Sequence, residues 1–174
     1  MTIKKKYVII YIQREGKLFK PERQVTMMKA LYFDLDGTLC DFYGVENWLD
    51  YLMEENTYPY EVAKPMLNFS LFARYLNTLR AFGWKIGVIS WTSKSGSESY
   101  NLTVETVKRM WLARHLPSVE WDEIKIVRYG TNKYKTCGGG ILFDDEEGNR
   151  NAWEDEAYEP YQILEILHKL IKEG

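Results

Sequence analysis

Two aspartates stand one residue apart at 34 and 36, directly after the apolar run Ala30 to Phe33 and directly before Gly37 and Thr38. An apolar run that stops at a carboxylate is the pattern of a buried parallel strand delivering a polar group at its carboxyl end, where open α/β sheets place their chemistry. Residues two apart on an extended chain point to the same side, and Gly37 permits a sharp turn that would bring both carboxylates over one site. Carboxylates crowded in this way repel each other unless a cation lies between them. Magnesium takes about six oxygen ligands, commonly one or two carboxylates plus a substrate phosphate, which gives the distant pair Asp144 and Asp145 a natural place as further ligands.

Two more positions are comparable. Ser90 follows the short apolar run Ile86 to Ile89, with Thr92 and Ser93 close behind as alternatives. Lys133 or Lys135 precedes the apolar run Ile141 to Phe143, which itself ends at Asp144. Taken singly, each residue has a plainer explanation: Asp-Gly is a common turn pair, aspartate caps helices, and a lone lysine is usually a solvated surface charge. The four together, in this order, are what turn and cap chemistry leaves unexplained. His115 and His168 lack partners at ligand spacing, and Trp48 and Trp111 recur with apolar residues at helical intervals, so packing accounts for them.

The segment Asp-Leu-Asp-Gly-Thr at 34 to 38, after its apolar strand, resembles motif one of the haloacid dehalogenase superfamily. Ser90 is similar to its motif-two Ser/Thr, Lys133 or Lys135 to its motif-three lysine, and Asp144-Asp145 with Asn149 to its acidic motif four; the resemblance runs from residue 30 to about residue 150. It implies a magnesium-dependent phosphate-monoester hydrolase in which Asp34 attacks phosphorus to form an aspartyl-phosphate and also binds Mg²⁺. Asp36 would be the general acid and then the general base, its backbone carbonyl a further metal ligand, which requires a pKa above the free value of about 4. Ser90 and the lysine would hold the phosphoryl oxygens, with Gly37, Thr38 and Trp91 also at the phosphate. Asp145 would ligate the metal directly and Asp144 through water. Lys133 is preferred because Gly130-Thr131-Asn132 resembles the loop before that lysine in small members. The implied partner is a small phosphorylated metabolite, with nucleotides included. The alternative is a phospho-accepting regulatory or binding domain on a haloacid dehalogenase-like fold without significant turnover: receiver domains share the strand-end aspartates, Mg²⁺, Ser/Thr and lysine, but in a different order, and a proton donor two residues from the nucleophile favours turnover.

These residues need a frame of alternating strands and helices. Apolar runs predict strands at 30–33, 86–89, 124–127 and 141–143, and helical spacing predicts helices through Val45 to Leu52, over 70–82, through Val104 to Trp111, and through Ile163 to Ile171. The alternation implies a mostly parallel sheet in a three-layer α/β sandwich. Residues 42–69 leave room for only a small cap after the first strand, and Gly138 to Gly140, which precede a strand rather than a helix, read as a flexible turn. Residues 1–27 read as an extension with a possible hairpin at 7–12, ahead of a catalytic domain over 28–174. At 174 residues, 45% hydrophobic and 28% charged, the chain has the composition of one ordinary soluble domain. A formal charge of −2, with 23 basic and 25 acidic residues interspersed, offers no DNA-binding signal and no field for an anionic membrane. Cys40 and Cys137 have no metal-ligand partners in sequence, so both are expected as free thiols, and the absence of a long apolar segment makes the cytoplasm the expected setting.

Overall fold

A computed structural model describes residues 29–174; the hairpin expected at 7–12 lies outside them. The first strand, β1 (Ala30–Phe33), is buried along its whole length. Its side chains alternate between faces: Leu31 and Phe33 enter one core, and Ala30 and Tyr32 enter a second on the other side of the sheet. A strand buried on both faces has no use for polar residues, hence the continuous apolar run.

Two short strands, β2 (Cys40–Asp41) and β3 (Lys64–Pro65), pair antiparallel and bracket an insertion carrying helices α1 (Trp48–Met53) and α2 (Tyr58–Val62). Helix α3 (Phe69–Ala81) then leads to β4 (Lys85–Trp91), and α4 (Glu98–His115) leads to β5 (Glu123–Val127). The one-turn helix α5 (Lys133–Cys137) precedes β6 (Ile141–Phe143); α6 (Glu147–Ala152), β7 (Ala157–Tyr158) and α7 (Ile163–Glu173) complete the chain. The central sheet is parallel throughout, in the order β5-β4-β1-β6-β7. This is the three-layer α/β sandwich expected from the alternation. Helices α3, α4 and α7 supply the larger core, with Trp111, Phe72 and Leu167 fully enclosed, and Trp153 and Tyr134 cover the other face. No described helix is long and apolar enough to cross a membrane.

Three local differences from the sequence reading have physical causes. Strand β4 runs two residues past Ile89, because Ser90 and Trp91 pair with Ile126 and Val127, so Ser90 lies within the strand rather than closing it. Strand β7 was not expected: two residues beside the acidic stretch Glu154 to Glu156 carry no periodic signal, yet they pair with Leu142 and Phe143. Gly138 to Gly140 form a required bend rather than a merely flexible turn. All three have positive φ, Gly138 caps α5 in the left-handed conformation, and a Cβ on Gly140 would lie 2.5 Å from the Ala30 carbonyl oxygen. Gly140→Ala should therefore destabilise the fold by about 1–3 kcal/mol. Urea unfolding of the full chain reads this, and an unchanged midpoint would contradict it.

Candidate active site

The carboxyl end of β1 lies between those of β4 and β6, and there the chain places Asp34, whose backbone N–H donates to the Phe143 carbonyl at 2.8 Å and extends the pairing. Asp34, Asp144 and Asp145 each offer an oxygen within 4.8 Å of the others. Lys133, at the start of α5, is buried with its Nζ 2.6 Å from Asp144 Oδ2 and 3.1 Å from Asp34 Oδ1. The second contact is an ion pair, and among the described residues no aligned hydrogen-bond donor reaches the buried Asp34 Oδ1. Burial opposes the Lys133 charge, but Asp34 and Asp144 outweigh it and hold its pKa above the ordinary lysine range.

The two motif-four acids are held differently. Asp144 is fully buried and saturated: Lys133 and Asn149 donate to Oδ2, and the Glu146 backbone N–H and Asn149 donate to Oδ1. Among the described residues, Asp145 accepts on its carboxylate only a weak 3.3 Å bond from the Thr38 hydroxyl, whose oxygen in turn accepts from the Asp145 N–H at 3.0 Å. Burial, followed by the charges of Asp34 and Asp144, pushes the Asp145 carboxyl up to about 7. Burial and Asp34 also raise Asp144, against the pull of Lys133. Arg150 braces this loop from behind, donating to the carbonyls of Asp144 and Asp145 at 2.8 and 2.7 Å.

Asp36 departs from expectation. The turn at Gly37, with φ +71°, does not set the two motif-one carboxylates side by side. It sends the Asp36 side chain to Lys108 Nζ at 2.6 Å, outside the group of carboxylates able to share an ion. The reason is a better partner: Lys108 is a fully buried ammonium that would otherwise face no counter-charge, whereas a fourth carboxylate beside Asp34 would only add repulsion. Burial, assisted by the Asp34 charge, raises the Asp36 pKa, and Lys108 pulls the other way. Gly37 itself is indispensable for a different reason, since a Cβ there would lie 2.5 Å from Asp145 Oδ2 and 2.8 Å from the Tyr43 ring.

Lys108, on α4, escaped the sequence reading. Its signal was a charged residue on the buried helical stripe between Val104 and Trp111, four residues after the one and three before the other. Of the remaining expected residues, Ser90 is buried with its Oγ accepting from Lys108 Nζ at 3.0 Å. Thr92 has a buried hydroxyl without a partner, and Ser93 is buried as well. Trp91 donates through its indole N–H to the Thr131 carbonyl, and its ring lies 5.0 Å from Lys133 Nζ. Thr38 spends its hydroxyl on Asp145 and Gly37 its N–H on the Cys40 carbonyl. Lys135 is exposed on the outer side of α5. Both cysteines are free thiols. A cleft of about 260 Å³ opens beside Lys133, walled by Trp91, Tyr129, Asn132 and Glu146. A larger depression of about 880 Å³ beside α3 and Pro117 contains no carboxylate and lies away from these groups.

No protein-family model and no curated protein sequence matches the chain. Among solved structures, D,D-heptose 1.7-bisphosphate phosphatase from B. bronchiseptica, crystallised with magnesium and phosphate, superposes with a TM-score of 0.52 over 84% of this chain and 100% of its own, at 11% identity. The chain has the haloacid dehalogenase fold. A target protein from Vibrio cholerae covers 84% of this chain and 98% of its own at 21% identity, with a TM-score of 0.46.

Within that haloacid dehalogenase fold, the residues present suit a divalent cation. Asp34, Asp36, Asp144 and Asp145 bring four formal negative charges against the two positive charges of Lys108 and Lys133, which leaves the charge that one such ion balances. The Asp34 oxygen without an aligned donor among the described residues and the weakly engaged Asp145 carboxylate could hold such an ion. Without the ion, Asp145 titrates near 7 in the fold against about 4 unfolded, so the folded state binds the extra proton between those values and loses stability as pH rises through them. A bound ion removes that loss. The increase in melting temperature on adding Mg²⁺ should thus be larger at about pH 8 than at about pH 5, reaching about 2–3 kcal/mol of stabilisation in large excess over Kd. Thermal scans at both pH values test this, and an equal or reversed Mg²⁺ effect would refute it.

Proposed function

We propose that the chain is a magnesium-dependent phosphate-monoester hydrolase acting on a small phosphorylated metabolite, with nucleotides among the substrates to be tested. The observation that carries this reading is the state of Asp34: a buried carboxylate directly after the central strand, ion-paired to an ammonium, grouped with two further carboxylates, and with no aligned donor on Oδ1 among the described residues. A residue serving only as a turn or cap would have spent that oxygen on backbone N–H groups. The resemblance of the motifs and the fold shared with a phosphatase solved with magnesium and phosphate support it.

In this reading Asp34 attacks phosphorus in line with the leaving oxygen and becomes an acyl phosphate. Asp34 and Asp145 would hold Mg²⁺, with Asp144 behind them, and the ion would supply charge neutralisation for nucleophile and phosphoryl oxygens. Lys133 faces the same oxygens, while Ser90 offers its hydroxyl from the neighbouring strand. Asp36, with its raised pKa, gives a proton to the leaving oxygen and then takes one from the water that hydrolyses the acyl phosphate. The small insertion over α1 and α2 suits a compact leaving group. Receiver domains have the flavodoxin-like strand order 2-1-3-4-5, whereas the core strands here run 3-2-1-4-5, which weighs against a phospho-accepting domain of that kind.

Asp34→Asn should abolish Mg²⁺-dependent hydrolysis of 4-nitrophenyl phosphate, a loss on the order of 10³-fold or more, while circular dichroism stays native. Wild-type turnover in that variant would sink the mechanism. Lys133→Ala should lower kcat/KM by about 10²–10³-fold and Lys135→Ala by less than about threefold, because only the former ammonium faces the carboxylates. Equal losses in the two variants, measured under the same conditions with EDTA controls, would reassign the lysine.

A further inference from the structure

Lys108 has three protons to donate and three acceptors to receive them. Its Nζ lies 2.6 Å from Asp36 Oδ2, 2.6 Å from the Trp91 carbonyl oxygen and 3.0 Å from Ser90 Oγ, and the residue is 0% exposed. The acceptors come from the loop after β1 and from the last two residues of β4, and the donor from α4, so one ammonium joins three elements. The Tyr60 ring of the insertion closes the remaining side at 5.2 Å. An ammonium so enclosed has no proton left for a substrate.

We propose that Lys108 is the positioning residue for Asp36 and, secondarily, for Ser90. It holds the Asp36 carboxylate apart from Asp34, Asp144 and Asp145, so that Asp36 faces the leaving-group side instead of joining the ion. At Ser90 it occupies a lone pair, which leaves the hydroxyl hydrogen free to point outward as a donor to a phosphoryl oxygen. The inference rests on the proposed role of Asp36 as the acid that protonates the leaving oxygen, and adds to it the group that aims that acid.

The two effects separate by leaving group. A 4-nitrophenolate departs without a proton, whereas an alkoxide requires one. Lys108→Met keeps length and apolar packing but removes the charge and all three donors. Compared with the full wild-type chain, it should lose in kcat/KM, which excludes the later water step, no more than Ser90→Ala does on 4-nitrophenyl phosphate, about tenfold, and a further ~10²-fold on an alkyl phosphate such as glycerol phosphate. In an Asp36→Asn background the extra alkyl-specific loss should vanish, since the acid to be aimed is gone. If Lys108→Met does not fold, Lys108→Gln, which is shorter and carries no charge to hold the Asp36 carboxylate, should show the same selective loss on the alkyl ester. Equal losses on both esters in the folded variant would overturn the inference while leaving the phosphatase reading intact, because Lys108 would then act on the fold or on phosphate binding. An Asp36→Asn variant that loses equally in kcat/KM on both esters would overturn the acid role of Asp36 itself, and the positioning role with it.

Discussion

Bringing four aspartates to one end of a buried sheet sets charge against charge in a medium that screens poorly. Lys133 and Lys108 make this tolerable, and they divide the task. Lys133 sits on the sheet face of α5 and neutralises part of the Asp34, Asp144 and Asp145 group; Lys108 reaches in from α4 and draws Asp36 away from it. Each lysine is itself an expensive burial, justified only by the acids opposite, and breaking a buried pair of this kind typically costs about 3–5 kcal/mol. The acids and the lysines are therefore a single electrostatic unit in which neither set is stable without the other.

The fold supplies rigidity to that unit. Asp34 lies between flanking strands, its N–H tied to β6, and β1 is clamped by Phe33 stacked on Phe143 and edge-on to Phe72 at centroid separations of 5.0 and 5.1 Å. The approach of the Asp145 loop depends on an absent side chain at Gly37, and the approach of β6 to β1 depends on another at Gly140. Close contact of backbone and carboxylate is possible only where glycine leaves the space.

Much of the frame was legible because buried parallel strands are short apolar runs with polar ends, and the larger helices carry their apolar stripes at regular intervals. Strand β7 was not, since two residues held mainly by pairing to β6 have no pattern of their own. The candidate acids could be found from type and order alone, and Lys133 from the loop before it. Where Asp36 points could not. The extended-chain rule put it beside Asp34, but side-chain direction after a tight turn is decided by the partner available, and that partner lies 72 residues away on another element. Lys108 looked like one more helical lysine until its register with Val104 and Trp111 was considered.

The insertion over α1 and α2 hangs on the helix that carries Lys108. The Trp111 indole donates to the Ala63 carbonyl at 2.8 Å, the Tyr100 hydroxyl to the Asn56 carbonyl at 3.0 Å, and Tyr60 lies over the Lys108 ammonium. Insertions above an active site are often treated as exchangeable modules, replaced during divergence while the chemistry beneath stays constant. Here the two are not independent inheritances. A change in the insertion that shifted α4 would displace Lys108 and with it the Asp36 carboxylate, so neutral variation should gather on the outer faces of α1 and α2, away from Asn56, Tyr60 and Ala63.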